Sequence, residues 1–136
     1  MDISTRFIIV DDDEINNKIC IMTLSKMDKD AQIETFLDPY EGFKHIVSEY
    51  SNPRDNYTAI LFLDINMPGM DGWEFLDRFD KLDPKIKNRI KVNILSSSDD
   101  KKDMKRAKEN KNIMHYLVKP LTRETIRLIT YSQNRK

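Results

Sequence analysis

Asp11, Asp12 and Asp13 in a row, a further acid at Asp64, the serines Ser96 to Ser98 and Lys119 are the residues of this 136-residue chain whose types could do chemistry together. Carboxylates brought within a few ångströms repel one another, and burial adds to the cost. At least one pKa then rises unless a cation neutralises the group. Oxygen-only ligands in such a cluster suit Mg²⁺, which keeps several waters and takes one or two carboxylates together with a phosphate oxygen. With an ammonium and a hydroxyl beside the ion, the pocket holds the three equatorial oxygens of a phosphoryl group while a carboxylate attacks in line. The chemistry indicated is an aspartyl phosphate.

These residues are far apart in the chain, so a fold must gather them. Each falls just past the carboxyl end of a segment that reads as a strand. Phe7-Ile8-Ile9-Val10 stops at the three aspartates and Ala59-Ile60-Leu61-Phe62-Leu63 stops at Asp64, both unbroken apolar runs suited to burial on two faces. Ile90 to Leu95 precedes the serines. His115 to Val118 precedes Lys119-Pro120, where proline pushes its predecessor towards extended geometry. Gln32 to Leu37 is the weakest strand signal.

Helical stretches lie between. Ile15, Ile19 and Met22, with the parallel set Cys20, Leu24 and Met27, make a wide apolar stripe at helical period. Pro39 to Tyr50 opens with proline at a first helical position. Trp73, Phe75, Leu76, Phe79 and Leu82 give a third helix and read as core; Asp99 to Asn110 is the fourth, and Arg123 to Ser132, opening at Thr122-x-x-Thr125, the fifth. Strand alternating five times with helix requires parallel pairing, because a parallel neighbour needs a long crossover. The expected fold is α/β: a flavodoxin-like doubly wound five-stranded parallel sheet of order 2-1-3-4-5 with helices on both faces. In such a sheet ligands bind at the carboxyl edge, where strand order reverses. Strands about 4.8 Å apart place the acids and serines beside Asp64. Lys119, two strands away, must reach across about 10 Å on its four-carbon stem.

Composition removes other classes. Lys+Arg and Asp+Glu number 23 each, so the formal charge is zero and no overall basic field exists for nucleic acid. The single Cys20 makes no internal disulfide, no Cys/His cluster has zinc spacing, and a reducing cytoplasm is the natural setting. The N-terminal apolar run, Phe7 to Val10, is too short for a signal peptide or membrane span. The length suits one domain over residues 1–136. His45 and His115 sit in no ligand motif. Asp13 suits a helix cap, Ser97 and Ser98 suit a turn and cap, and Ser51 to Asn56 reads as a surface loop. Lys101, Lys102, Lys105, Arg106, Lys108 and Lys111 form a basic stretch on and just beyond the fourth helix, a solvated face or a docking patch.

Three stretches occur in order: Phe7-Ile8-Ile9-Val10-Asp11-Asp12-Asp13, Leu63-Asp64-Ile65-Asn66-Met67-Pro68-Gly69-Met70-Asp71-Gly72 and Tyr116-Leu117-Val118-Lys119-Pro120. In them the sequence resembles the receiver domain of bacterial two-component response regulators over nearly its whole length. The resemblance implies that Asp64 accepts phosphate from a histidine kinase or a histidine phosphotransfer protein. Asp12 would hold Mg²⁺ directly and Asp11 through water, with Asp64 and the backbone carbonyl of Asn66 completing the protein ligands. Ser96 would be the switch hydroxyl, Lys119 the partner of the phosphoryl group, Tyr116 an aromatic switch, and Lys119-Pro120 a cis peptide. Two positions depart from the usual pattern. Ser96 stands where threonine is commoner, and Asn110 to Met114 lacks the small Gly-Ala pair often found before the fifth strand.

The expected function is a phosphorylation-dependent switch with no external turnover substrate. The chain ends at Gln133-Asn134-Arg135-Lys136, just after the fifth helix, so its output is expected to be a downstream protein contact through the fourth helix, fifth strand and fifth helix, without nucleic acid or membrane. An aspartate-nucleophile phosphatase would want a second acid two residues past its nucleophile, where Asn66 stands. A degenerate interaction module with the same fold should have lost an acid, the hydroxyl or the lysine.

Overall fold

A computed structural model describes residues 5–54 and 57–134. Residues 1–4 and 135–136, and Asp55 and Asn56 of the expected surface loop, lie outside the described residues. The elements are β1 (Arg6–Val10), α1 (Glu14–Met27), β2 (Gln32–Phe36), α2 (Pro39–Tyr50), β3 (Ala59–Leu63), α3 (Gly72–Asp80), α4 (Pro84–Lys87), β4 (Ile90–Ser96), α5 (Lys101–Lys108), β5 (Ile113–Val118) and α6 (Arg123–Asn134). The strands form one parallel sheet of order β2-β1-β3-β4-β5, as expected.

The central strands are apolar on both sides because helices cover both. Ile8, Val10, Leu61, Leu63, Val92 and Ile94 pack on one face with Phe75 and Phe79 of α3. Phe7, Ile9, Ile60, Phe62 and Leu95 pack on the other with Cys20 and Leu24 of α1 and Ile126 and Ile129 of α6. Full burial of each such side chain contributes about 1.5–3 kcal/mol, so these two layers supply most of the driving force.

Three readings from sequence are corrected. Ile15, Ile19 and Met22 do not join the core; they are 72%, 37% and 57% exposed. The buried line of α1 is Asn16, Asn17, Cys20 and Leu24, because both asparagines are drawn inward by hydrogen bonds to Asp11 and the helix turns with them. The single turn α4, capped by Asp83 and opened by Pro84, interrupts the strict alternation and is too short to show a period. β5 starts two residues before His115. Its pairing with β4 slips between Val92 and Asn93, so that Val92 lies opposite Ile113 and Asn93 opposite His115.

Register is what delivers the polar residues to one place. Val10 pairs with Leu63 and Leu63 with Ile94, so Asp11 and Asp64 leave the sheet at one level; Ser96 pairs with Val118, just before Lys119. The ladder continues past the strand ends. Asp11 N–H donates to the Phe36 carbonyl at 3.0 Å, Asp64 N–H to the Val10 carbonyl at 3.0 Å, and Lys119 N–H to the Ser96 carbonyl at 2.8 Å.

The turn after Asp64 returns the chain against its own backbone. Gly69 takes φ +84°, open to glycine at little cost. Gly72 N–H then bonds the Ile65 carbonyl at 3.0 Å. A Cβ at Gly72 would lie 2.6 Å from the Asp64 carbonyl oxygen and 2.7 Å from Ile65 Cα, both backbone atoms with little room to yield. Gly72→Ala is therefore expected to destabilise the protein by about 1–3 kcal/mol, the usual range for overpacking. Urea unfolding checks this, and an unchanged midpoint would contradict the close approach.

Candidate functional site

Asp11 is almost wholly enclosed, and its carboxylate is held by three donors. Oδ1 accepts the Asp13 N–H at 2.9 Å; Oδ2 accepts Asn16 Nδ2 at 2.9 Å and Lys119 Nζ at 2.8 Å. Its main-chain carbonyl accepts Asn17 Nδ2 at 3.0 Å. Asp13 caps α1, taking the Ile15 and Asn16 N–H groups at 3.0 and 3.2 Å, the structural role that its position suggested. Asp12, between them, is exposed.

Asp64 is also buried, with Lys119 Nζ 3.9 Å from its Oδ2 and the Asn66 N–H 3.4 Å from its Oδ1. Carboxylate oxygens of Asp11, Asp12 and Asp64 all lie within 4.8 Å of one another. Lys119 does cross the sheet edge, as the topology required, though in this structure it sits closer to Asp11 than to Asp64. Lys119-Pro120 is cis.

Ser96 is fully enclosed, and its Oγ accepts the Ser98 N–H at 3.1 Å. Ser98 is a junction. Its Oγ donates to Asp103 Oδ2 of α5 at 3.1 Å and accepts the Asp100 N–H at 3.2 Å, while its carbonyl accepts the Tyr116 hydroxyl at 2.7 Å. The turn role read for Ser98 is therefore present. Beyond it, Ser98 joins the Ser96 hydroxyl to Tyr116 and to α5.

Electrostatics follow from crowding. Burial pushes the Asp64 carboxyl up to about 6, the neighbouring Asp11 charge adds to the rise, and Lys119 opposes it. Burial of the Lys119 ammonium works against its charge, but the hydrogen bond and charge of Asp11, then the charge of Asp64, outweigh that and leave its pKa raised. Three carboxylates against one ammonium leave excess negative charge aimed at a small space. The donors are all oxygen, without His or Cys, so the set fits a hard divalent ion such as Mg²⁺.

Every site residue read from sequence lies at this edge: Asp11, Asp12, Asp64, Asn66 and Lys119 meet at the acids, Ser96 ends β4 on the same edge, and Tyr116 is joined to Ser96 by two hydrogen bonds through Ser98. Asn16 and Asn17 were missed. The available signal was their place four and three residues before Cys20, two amides on the buried line of an amphipathic helix.

A doubly wound parallel sheet thus carries clustered acids, a hydroxyl and a lysine at its carboxyl edge. The response regulator receiver domain family matches residues 7–130, and the chain belongs to that family. The structure is similar to a response regulator receiver protein from Dyadobacter fermentans, with 26% identity, 95% of this chain and 97% of that one covered, and a TM-score of 0.83. It is similar also to a two component response regulator from Cytophaga hutchinsonii, at 26% identity, 98% coverage of each chain and a TM-score of 0.86. The Vibrio cholerae chemotaxis protein CheY4 shares the fold at 22% identity, with 96% of this chain and 98% of that one covered and a TM-score of 0.70. No curated protein matches the chain. Receiver domains are signalling switches rather than turnover enzymes, and the acidic pocket of this one fits a phosphorylation site.

Two outcomes are expected. The raised Asp64 pKa means that the folded state holds this proton more tightly than the unfolded chain. That contribution is complete below the ordinary value of 3.8 and gone once pH passes about 6. Without divalent ions, Asp64→Asn should therefore exceed the parent in stability near neutral pH, by on the order of 1 kcal/mol. The margin should vanish in urea titrations as pH falls through that window. Asn16→Ala should lower stability by about 1–3 kcal/mol, because it strips a donor from a buried carboxylate; an unchanged urea midpoint would argue against the bond.

Proposed function

We propose that the chain, as a single receiver domain over residues 1–136, is a phosphorylation-dependent signalling switch. It takes a phosphoryl group onto Asp64 from the phosphohistidine of a histidine kinase or histidine phosphotransfer protein. The observation that carries this reading is the gathering of Asp11, Asp12 and Asp64 within 4.8 Å with Lys119 reaching both buried acids.

An Asp64 carboxylate oxygen attacks phosphorus, the bond from phosphorus to the donor imidazole nitrogen breaks, and that nitrogen keeps the electron pair and takes a proton from water. Asp11, Asp12, Asp64 and the main-chain carbonyl of Asn66 are the groups that would hold Mg²⁺. The ion, when bound, offsets the charge of the acids and of the phosphoryl oxygens. Lys119 supplies a mobile ammonium to the transferred group, and its short approach to Asp11 keeps it at the pocket beforehand. Ser96 supplies a hydroxyl. Turning that hydroxyl towards the phosphoryl group releases the Ser98 N–H and frees the β4–α5 turn, on which Tyr116 and Asp103 both hold. The result is a shift in the population of the α5–β5–α6 face, read by a downstream protein in the cytoplasm. Asp64 is regenerated by water, so the cycle has no external product beyond phosphate.

Incubation with Mg²⁺ and acetyl phosphate, followed by intact-mass measurement, tests the reading. The parent should gain one phosphoryl group, Asp64→Asn none, and Lys119→Ala should label roughly a hundredfold more slowly, the usual cost of removing a group that stabilises transferring charge. No labelling of the parent would overturn phosphotransfer and leave a module that keeps only the fold.

A further inference from the structure

We infer that the cleft at the amino edge of the sheet, between α4, β4 and the start of β5, binds a small organic anion whose apolar body fills the cleft while its charge meets Lys91 and Lys111. The site lies at the opposite end of the strands from Asp64 and stands whether or not Asp64 takes phosphate.

Two turns of the chain make the cleft. Asp83 and Pro84 start the single turn α4 ahead of β4, and Ile86 seats that turn on the core. The chain leaving α5 turns at Asn110, whose carbonyl accepts the Ile113 N–H at 3.2 Å and whose Oδ1 accepts the Asn112 N–H at 2.9 Å, and then enters the edge strand β5. The space between has a volume of about 410 Å³. Phe79, Pro84, Ile90 and Met114 give it an apolar wall, while Lys87, Lys91, Lys111 and Asn112 supply the polar part. Among the described residues no acid lines it. Small-molecule sites commonly have this size and this make-up, a mostly apolar wall with a few placed polar groups.

The lysines are not balanced. Lys87 belongs to Asp80, since its Nζ donates to the Asp80 carbonyl at 2.9 Å and stands 3.5 Å from Oδ1. Asn112 Nδ2 donates to the same Oδ1 at 3.0 Å. Lys111 Nζ is 3.8 Å away, too far for a hydrogen bond, and its side chain is 78% exposed. Among the described residues no carboxylate pairs with Lys91. One carboxylate thus stands against three ammonium groups. It already shows what the place favours: the Asn112 hydrogen bond holds the Asp80 carboxyl below its ordinary range against the effect of burial, and the charges of Lys111 and Lys87 add to the lowering. A second anion finds Lys91 and Lys111 to pair with and an apolar wall beside them. Phosphate alone would leave that wall unused, and a neutral ring would leave the ammonium groups unused, so the complementary ligand carries both parts in one molecule.

Three probes test this by amide-shift titration of the full chain: 1-anilinonaphthalene-8-sulfonate, its uncharged counterpart N-phenyl-1-naphthylamine, and inorganic phosphate. The sulfonate should shift the amides of residues 79–91 and 111–114 and bind at least about tenfold more tightly than either of the others. A Lys91→Gln, Lys111→Gln variant should lose about tenfold in affinity for the sulfonate while keeping the parent's urea midpoint, and added salt should weaken the parent's binding. Shifts centred on any other part of the molecule, equal binding of the neutral compound or of phosphate, or an unaffected double variant would overturn the site.

Discussion

Two carboxylates buried side by side at the end of a dry sheet repel each other at a distance where little water screens them, and the surrounding residues are arranged around that repulsion. Asp11 is given three donors and Asp64 is left short of them, one lysine distant and one amide N–H long. Burial and then the Asp11 charge raise the Asp64 pKa, and its carboxylate stays unsaturated, while three donors fix Asp11 in place. Even the rotation of α1 follows from this. Asn16 and Asn17 must face inward to serve Asp11, and the cost is an exposed Ile15, Ile19 and Met22.

Sheet register does the rest. One hydrogen-bond ladder carries the strand ends past the sheet, so polar segments as far apart in the chain as Asp11 and Lys119 end at one level. At 26% overall identity two related structures still superpose on this chain over nearly their full length. Cores tolerate side-chain exchange when volume and pattern are kept, whereas a slip of one residue in register would turn every side chain to the wrong face.

Much of this was legible before any coordinates. β1 and β3 are unbroken apolar runs that stop at acids, and the alternation of strands with helices, given the usual flavodoxin-like strand order, placed Asp64 between its partners. What escaped the sequence has physical causes. Apolar spacing on α1 favours Ile15, Ile19 and Met22 as strongly as Cys20 and Leu24, and only the hydrogen bonds of two asparagines decide between the faces. α4 is one turn long, below the reach of any periodicity. The slip at Val92 and Asn93 depends on pairing between strands, which no local pattern records.

The chain's single tryptophan lies at the start of α3, eight residues past Ile65, and carries on its ring a cation borne by α5. Indole emission responds to a nearby charge, so the protein contains its own optical gauge of the spacing between these two helices. Its fluorescence follows α5 without any attached dye.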